Sequence, residues 1–262
     1  MVNRYEDKIC LVTASTAGIG LAIATRFAQE GGKVFISSRK QANVDKAIEE
    51  VARASPGGAQ NVAGIPCNAS KDEDRVKLVD AVVKKWGRID VFVSNNATSL
   101  HMGDTLGTSE KAWDTMFKHN VKAAFMLAKL CEPHFPKSGG SILFMSSYYG
   151  YTPIAPIGVY GVTKTALFGL TKSLADELGP RNIRVNCVAP GIIKTNFSSS
   201  LWQDGDGKEV SADEHPLVAR TILRRFGEPK DIAGPVSFLC SDDAAYVTGE
   251  VVLATGGLDS RL

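Results

Sequence analysis

The chain has no apolar stretch near the ~20 residues that a membrane-spanning helix needs. Its first residues, MVNRYEDK, also lack the apolar core of a signal peptide. The expectation is a soluble protein that is not secreted. Charge imbalance is absent too: 30 basic residues stand against 28 acidic ones, a formal net charge of +2, with no basic stripe. Nucleic acid is therefore a poor partner for it. Cysteine is sparse, and Cys10, Cys67, Cys131, Cys187 and Cys240 show none of the paired spacings of a metal site. They read as reduced, mostly buried thiols. His101, His119, His134 and His215 have no metal-ligand spacing either and read as surface or core residues, so no metal is expected. Nor is there a G-x-S-x-G elbow, which leaves hydrolase chemistry without its usual nucleophile.

What is present is a regular alternation. Apolar runs rich in β-branched residues predict strands over 8–13, 33–38, 61–66, 89–93, 141–146, 183–188 and 250–254. Segments of helical period predict helices over 18–30, 43–54, 72–86, 110–134, 159–179 and 229–240. This order predicts a doubly wound α/β architecture: a single parallel seven-stranded sheet with helices on both faces. With 262 residues, 44% of them hydrophobic, and no dividing linker, residues 1–262 are expected to form one domain. Residues 196–224 break the rhythm with a long polar insertion, QDGDGKEVSADE at its middle, which suggests a substrate loop or lid.

The first strand runs into TASTAGIG, residues 13 to 20. A small-residue loop between a strand and a helix can bring backbone N–H groups against a dinucleotide's phosphates. Gly18 and Gly20 fall at that turn, and Ser15, Thr16 and the amides near Ile19 are expected to carry the contacts. Ala14 stands where glycine usually opens such a loop, so it is expected to avoid positive φ. The second strand ends Ser37, Ser38, Arg39, Lys40 rather than in the carboxylate that holds the ribose of NAD. Hydroxyls and two cations suit a 2′-phosphate, which favours NADPH/NADP+ as cofactor.

YGVTK, residues 160 to 164, puts a phenol and an ammonium on one helical face. A carbonyl reduced by hydride needs a proton, and Tyr160 could supply it if its pKa, ~10 when free, came nearer neutrality. At about 4 Å and an effective dielectric near 20, attraction to Lys164 would be worth about 4 kcal/mol, which is enough for the task. Such a pair often arises by chance, so it needs company. Ser147 closes the fifth strand and could hydrogen-bond the substrate oxygen. Asn120 lies within the long helix before it, and in PGIIKT backbone groups of Ile193 and the hydroxyl of Thr195 could reach a nicotinamide carboxamide.

Over nearly its whole length the chain resembles the short-chain dehydrogenase/reductase family. The resemblance rests on the glycine loop, NNA at 95–97, Asn120, Ser147, Tyr160 with Lys164, and PGIIKT at 190–195. It implies a Rossmann fold, and cofactor contacts from Asn95 and Ala97 in the NNA motif. It also implies a catalytic tetrad: Tyr160 as general acid/base, Lys164 lowering its pKa and binding the nicotinamide ribose, Ser147 polarising the carbonyl, and Asn120 holding a relay water. Run in reverse, the same set would oxidise an alcohol. VTASTAGIG, SSRKQANVD, RNIRVNCVAPGIIKT and FLCSDDAAYVTGE are similar to the peroxisomal NADP-dependent carbonyl reductase and retinol dehydrogenase subgroup, which implies a homotetramer. Asn68 stands where the family usually faces adenine with aspartate, and Thr98 replaces a common glycine, which is expected to crowd the turn.

Tyr148, Tyr149, Tyr151, Pro153 and Ile154, with Phe197, Leu201 and Trp202, are expected to line an apolar substrate pocket. That favours small apolar ketones, aldehydes or dicarbonyls, with retinal among the candidates. The final Ser260, Arg261 and Leu262 resemble the S-K-L address read by the peroxisomal import receptor, so the peroxisome is expected ahead of the cytoplasm.

Overall fold

The computed structural model describes residues 3–155, 157–204, 206–208, 210–211, 215–216 and 218–258. The proposed import tripeptide, Ser260 to Leu262, lies outside them.

Seven parallel strands form one sheet in the order β3-β2-β1-β4-β5-β6-β7. They are β1 (Ile9–Val12), β2 (Lys33–Ser38), β3 (Val62–Pro66), β4 (Val91–Ser94), β5 (Gly140–Met145), β6 (Ile183–Pro190) and β7 (Val251–Ala254). Successive side chains of a strand face opposite ways, and both faces here are covered. Ile9 and Leu11 enter one core; Cys10 and Val12 enter the other.

Helices α1 (Gly18–Gln29), α2 (Gln41–Ala54) and α8 (Pro229–Cys240) cover the face of Cys10 and Val12. The opposite face is packed by α3 (Asp72–Trp86), α5 (Ala123–Cys131) and α6 (Gly158–Leu178). All five cysteines are free and buried. The strand order reverses between β1 and β4, which opens a crevice at their carboxyl ends, the place where ligands bind in such sheets.

The helix predicted over 110–134 is not continuous. It consists of α4 (Glu110–Phe117), a π-helical turn at Lys118–Lys122, α5, and a 3-10 turn at Glu132–His134. A π turn carries one residue too many for the α ladder and releases a carbonyl. Asn96 Nδ2 donates to the His119 carbonyl at 2.6 Å, so a loop side chain satisfies the main chain there. The insertion begins with a 3-10 turn at Asn196–Ser198 and α7 (Ser199–Trp202). Its far half is partly anchored, since Val218 and Thr221 are buried.

Candidate active site

The loop after β1 departs from expectation at Ala14, which adopts φ +49°. An L-residue pays for that left-handed conformation through a clash of its Cβ. What holds it is external: Asn95 Nδ2 donates to the Ala14 carbonyl at 3.0 Å, and the Asn95 amide donates to Thr13 Oγ1 at 3.0 Å. Asn95 therefore ties the end of β4 to the turn after β1.

Ser15 is turned inward rather than toward a phosphate. Its side chain is buried, its Oγ donates to the Val12 carbonyl at 2.6 Å, and it accepts from the Ser37 amide at 3.1 Å. The Ser15 amide is also committed, to the Ser37 carbonyl. Ser15 braces the turn against β2, which corrects its assignment as a cofactor contact.

Gly20 is likewise a packing residue: a Cβ there would lie 2.4 Å from the Ala14 carbonyl oxygen and 2.5 Å from Asn95 Nδ2. Gly18 has φ +55° and faces Thr195, whose Cγ2 would lie 3.1 Å from an added Cβ. The residue before α1, Ala17, offers no side-chain cap. Helical N–H groups left open there make an anion cradle.

Two adjoining hollows share Ala14, Ala17, Ala97 and Phe197 and so form one elongated cleft. The larger, about 760 Å³, takes in Thr16, Ser38, Arg39 and Asn68. Arg39 is exposed and its guanidinium has no protein partner among the described residues. Lys40 does not join this wall; its carbonyl instead accepts from the amides of Asn43 and Val44 at the start of α2. Asn68 Oδ1 accepts from the Ser70 amide and hydroxyl, at 3.2 and 2.9 Å, which leaves its NH2 to face a ligand.

The smaller hollow, about 210 Å³, brings together Ile19, Asn95, Tyr160, Lys164 and Thr195. Thr195 Oγ1 and Ser198 Oγ lie 2.9 Å apart, and Trp202 Nε1 donates to the Thr195 carbonyl at 3.1 Å. Ile193 is held by a bridge in which Gly227 pairs with Ile192 and Lys194. The N–H and C=O of residue 193 therefore point away from Gly227, and its carbonyl accepts from Ser198 Oγ.

Lys164 makes no hydrogen bond to the phenol oxygen. Its ammonium lies 5.5 Å from the centre of the Tyr160 ring and donates to the Met145 carbonyl at 2.8 Å. Burial lowers the Lys164 pKa to about 8, while the nearby Cys187 pulls it back up. Burial pushes the Tyr160 phenol well above its usual pKa; a hydrogen bond with Ser147 offsets part of this, and Tyr149 adds to it. In the protein alone Tyr160 is therefore held firmly in its protonated form. This corrects the expectation that Lys164 brings it toward neutrality. Ser147 Oγ accepts from the Tyr149 amide at 3.2 Å.

Asn120 is buried, and both hydrogens of its side-chain amide are spent: Oδ1 accepts from the Thr98 amide at 2.7 Å, and Nδ2 donates to the Thr98 carbonyl and to Thr163 Oγ1, both at 2.9 Å. A relay water would find only acceptors on this residue, the second lone pair of Oδ1 or the main-chain carbonyl. Thr163, which the sequence did not single out, passes the link on by donating to the Tyr160 carbonyl at 2.7 Å. Its i+3 spacing from Tyr160 was the available signal, because a threonine hydroxyl reaches back that far in a helix. Thr98 is not among the residues with positive φ, so its backbone needs no glycine.

The aromatic residues divide. Tyr148 and Tyr149 are buried against each other with Leu258, and Tyr151 packs on Phe168 in the core, so these three do not line the cleft. Ile154 also packs with Tyr148 and Tyr149, whereas Ile157 both joins that packing and reaches the cleft. Phe197 and Leu201 do face the cleft, joined by Leu100, Met102, His101 and His119, none of which the sequence singled out for it.

A family model described as enoyl-(acyl carrier protein) reductase matches residues 13–259. Dehydrogenase/reductase SDR family member 4 of Sus scrofa is 49% identical over 258 residues, covering 98% of this chain and 89% of that protein. The chain belongs to the short-chain dehydrogenase/reductase family. The Homo sapiens protein of the same name is 49% identical over 257 residues, and that of Caenorhabditis elegans 45% over 261, the latter covering 99% of this chain and 98% of the relative. Among solved structures, a short-chain dehydrogenase/reductase from Mycobacterium ulcerans superposes with a TM-score of 0.89 at 30% identity, covering 97% of this chain and 90% of its own. Members of the family are oxidoreductases that use the nicotinamide cofactors NAD(P)(H). The open amides at α1, Gly18 in the wall and the two joined hollows, about 760 and 210 Å³, fit a dinucleotide.

Proposed function

We propose that the protein reduces small apolar ketones, aldehydes or dicarbonyls, retinal among them, to alcohols with NADPH. The observation that carries this reading is one cleft whose larger hollow holds an unpaired Arg39 and whose smaller hollow holds Tyr160 with Lys164. Arg39 offers a planar fork of donors to a 2′-phosphate, and no carboxylate at the end of β2 competes for a free ribose hydroxyl.

A nicotinamide held in this cleft would supply the hydride for the carbonyl carbon. Tyr160, which lines the smaller hollow, gives its phenolic proton to the carbonyl oxygen. Ser147 accepts from the Tyr149 amide and hydrogen-bonds Tyr160, so its hydroxyl stands beside the phenol that meets the same oxygen. Lys164, braced by the Met145 carbonyl in the same hollow, would hold the nicotinamide ribose. Leu100, Met102, Ile157, Phe197 and Leu201 give the substrate an apolar wall.

Separate titrations with NADPH and NADH test the cofactor. Arg39→Ala should weaken NADPH by about 10- to 100-fold, the worth of charge-assisted hydrogen bonds, and leave NADH nearly unchanged. Equal losses for the two would remove the 2′-phosphate assignment. The exposed Trp113, Phe125 and Val162 on α4 to α6, Phe238 on α8 and Tyr246 between α8 and β7 support a homotetramer, which light scattering would measure. Peroxisomal import through Ser260, Arg261 and Leu262 belongs to the same proposal. A tagged protein lacking them should stay in the cytosol.

A further inference from the structure

His119 is the one described imidazole that lines the cleft from the π turn, and nothing in the chemistry above uses it. Its ring is fixed at 2.9 Å between Nδ1 and the Thr115 carbonyl oxygen. A carbonyl can only accept, so Nδ1 carries a proton, and in the neutral ring Nε2 keeps a lone pair. Nε2 has no protein partner among the described residues, and it is not among the buried atoms left without one, so it reaches open space.

The backbone is held as firmly as the ring. Asn96 Nδ2 donates to the His119 carbonyl at 2.6 Å, and the next residue, Asn120, is locked to Thr98 and Thr163. The ring is thus anchored through Nδ1 on a fixed stretch of backbone, and His119 lines the cleft with its Nε2 uncommitted. A lone pair repels phosphate oxygens and suits a hydroxyl, and ribose hydroxyls are the donors a dinucleotide carries between its phosphates and its bases.

We propose that His119 is a cofactor-contacting residue whose Nε2 accepts a hydrogen bond from a ribose hydroxyl of the bound dinucleotide. This rests on the dinucleotide reading of the cleft, and the experiment separates the two. Calorimetric titration of NADPH would compare the wild type with His119→Leu, which removes the acceptor, and His119→Gln, which restores one, each checked for thermal unfolding. The leucine variant should bind about 3- to 10-fold more weakly, the value of one hydrogen bond, and the glutamine variant within about 2-fold of wild type.

Adenosine 2′,5′-bisphosphate then locates the contact. A matching loss with this fragment assigns it to the adenosine ribose, and an unchanged affinity assigns it to the nicotinamide ribose; either result supports the proposal. Equal NADPH binding by wild type and His119→Leu would overturn it, as would equal weakening by leucine and glutamine, which marks a purely steric role. A wild type that binds neither NADPH nor NADH would instead overturn the dinucleotide reading itself.

Discussion

Replacing Ala14 by glycine should make the protein more stable, although glycine usually does the reverse. Ala14 has φ +49°, where an alanine loses about 1 to 2 kcal/mol to the contact of its Cβ with the following carbonyl. Glycine removes that strain but enlarges the conformational freedom of the unfolded chain, at a cost of about 0.4 to 1 kcal/mol. The methyl group is exposed, so little burial is lost, and the hydrogen bond from Asn95 Nδ2 goes to the backbone carbonyl and survives the change. The balance is roughly 0.5 to 1 kcal/mol in favour of glycine, or about 1 to 4 °C in Tm for a chain of this size. Differential scanning calorimetry without cofactor is the suitable assay, because a ligand bound at the loop would add its own stabilisation. Ala14→Val should move Tm the other way, since a β-branched residue tolerates positive φ less well. A glycine variant that melts no higher than wild type, together with a valine variant that melts at the same temperature, would refute the left-handed turn.

Gly20→Ala should cost at least about 2 kcal/mol in chemical denaturation, because the new Cβ would lie 2.4 Å from a backbone oxygen that cannot move without distorting the turn; a variant as stable as wild type would show that the loop and helix are not in close contact there. Lys164 makes stability depend on pH. Its folded pKa of about 8 lies below the unfolded value of 10.5, so the unfolded chain binds the extra proton between them and stability rises with pH across that window. The full penalty applies below pH 8 and is on the order of 3 kcal/mol. Measured against Lys164→Met, the wild type should therefore gain relative stability from about pH 8 to 10.5, and a constant difference would contradict the buried ammonium.

The sheet was legible because each strand is a short, nearly continuous apolar run, a pattern that burial on both faces imposes; β2 and α3 match their predicted limits residue for residue. The break in the helix over 110–134 was not legible, because its cause is a tertiary contact: Asn96, on another element, takes up the His119 carbonyl. Motif spacing brought Tyr160, Lys164, Asn95 and Thr195 into one hollow, since it reflects which strand ends meet at the crevice. It could not give side-chain direction. Ser15 and Tyr151 have the composition of site residues, yet one is spent as a brace to β2 and the other packs on Phe168. The loop that opens with Ala14 was the sharpest case. The alanine predicted negative φ, whereas neighbouring hydrogen bonds hold the turn in the geometry of glycine.

In the proposed reduction Tyr160 delivers the proton from the smaller hollow of the cleft. Tyr160→Phe removes one oxygen from the smaller hollow and leaves its walls in place. Its single-turnover rate with NADPH and an apolar dicarbonyl, measured beside its affinity for NADPH, tests that claim most directly. Loss of a general acid predicts a fall in rate of roughly 10²-fold or more, with affinity nearly unchanged. A variant that turns over at the wild-type rate would contradict the account.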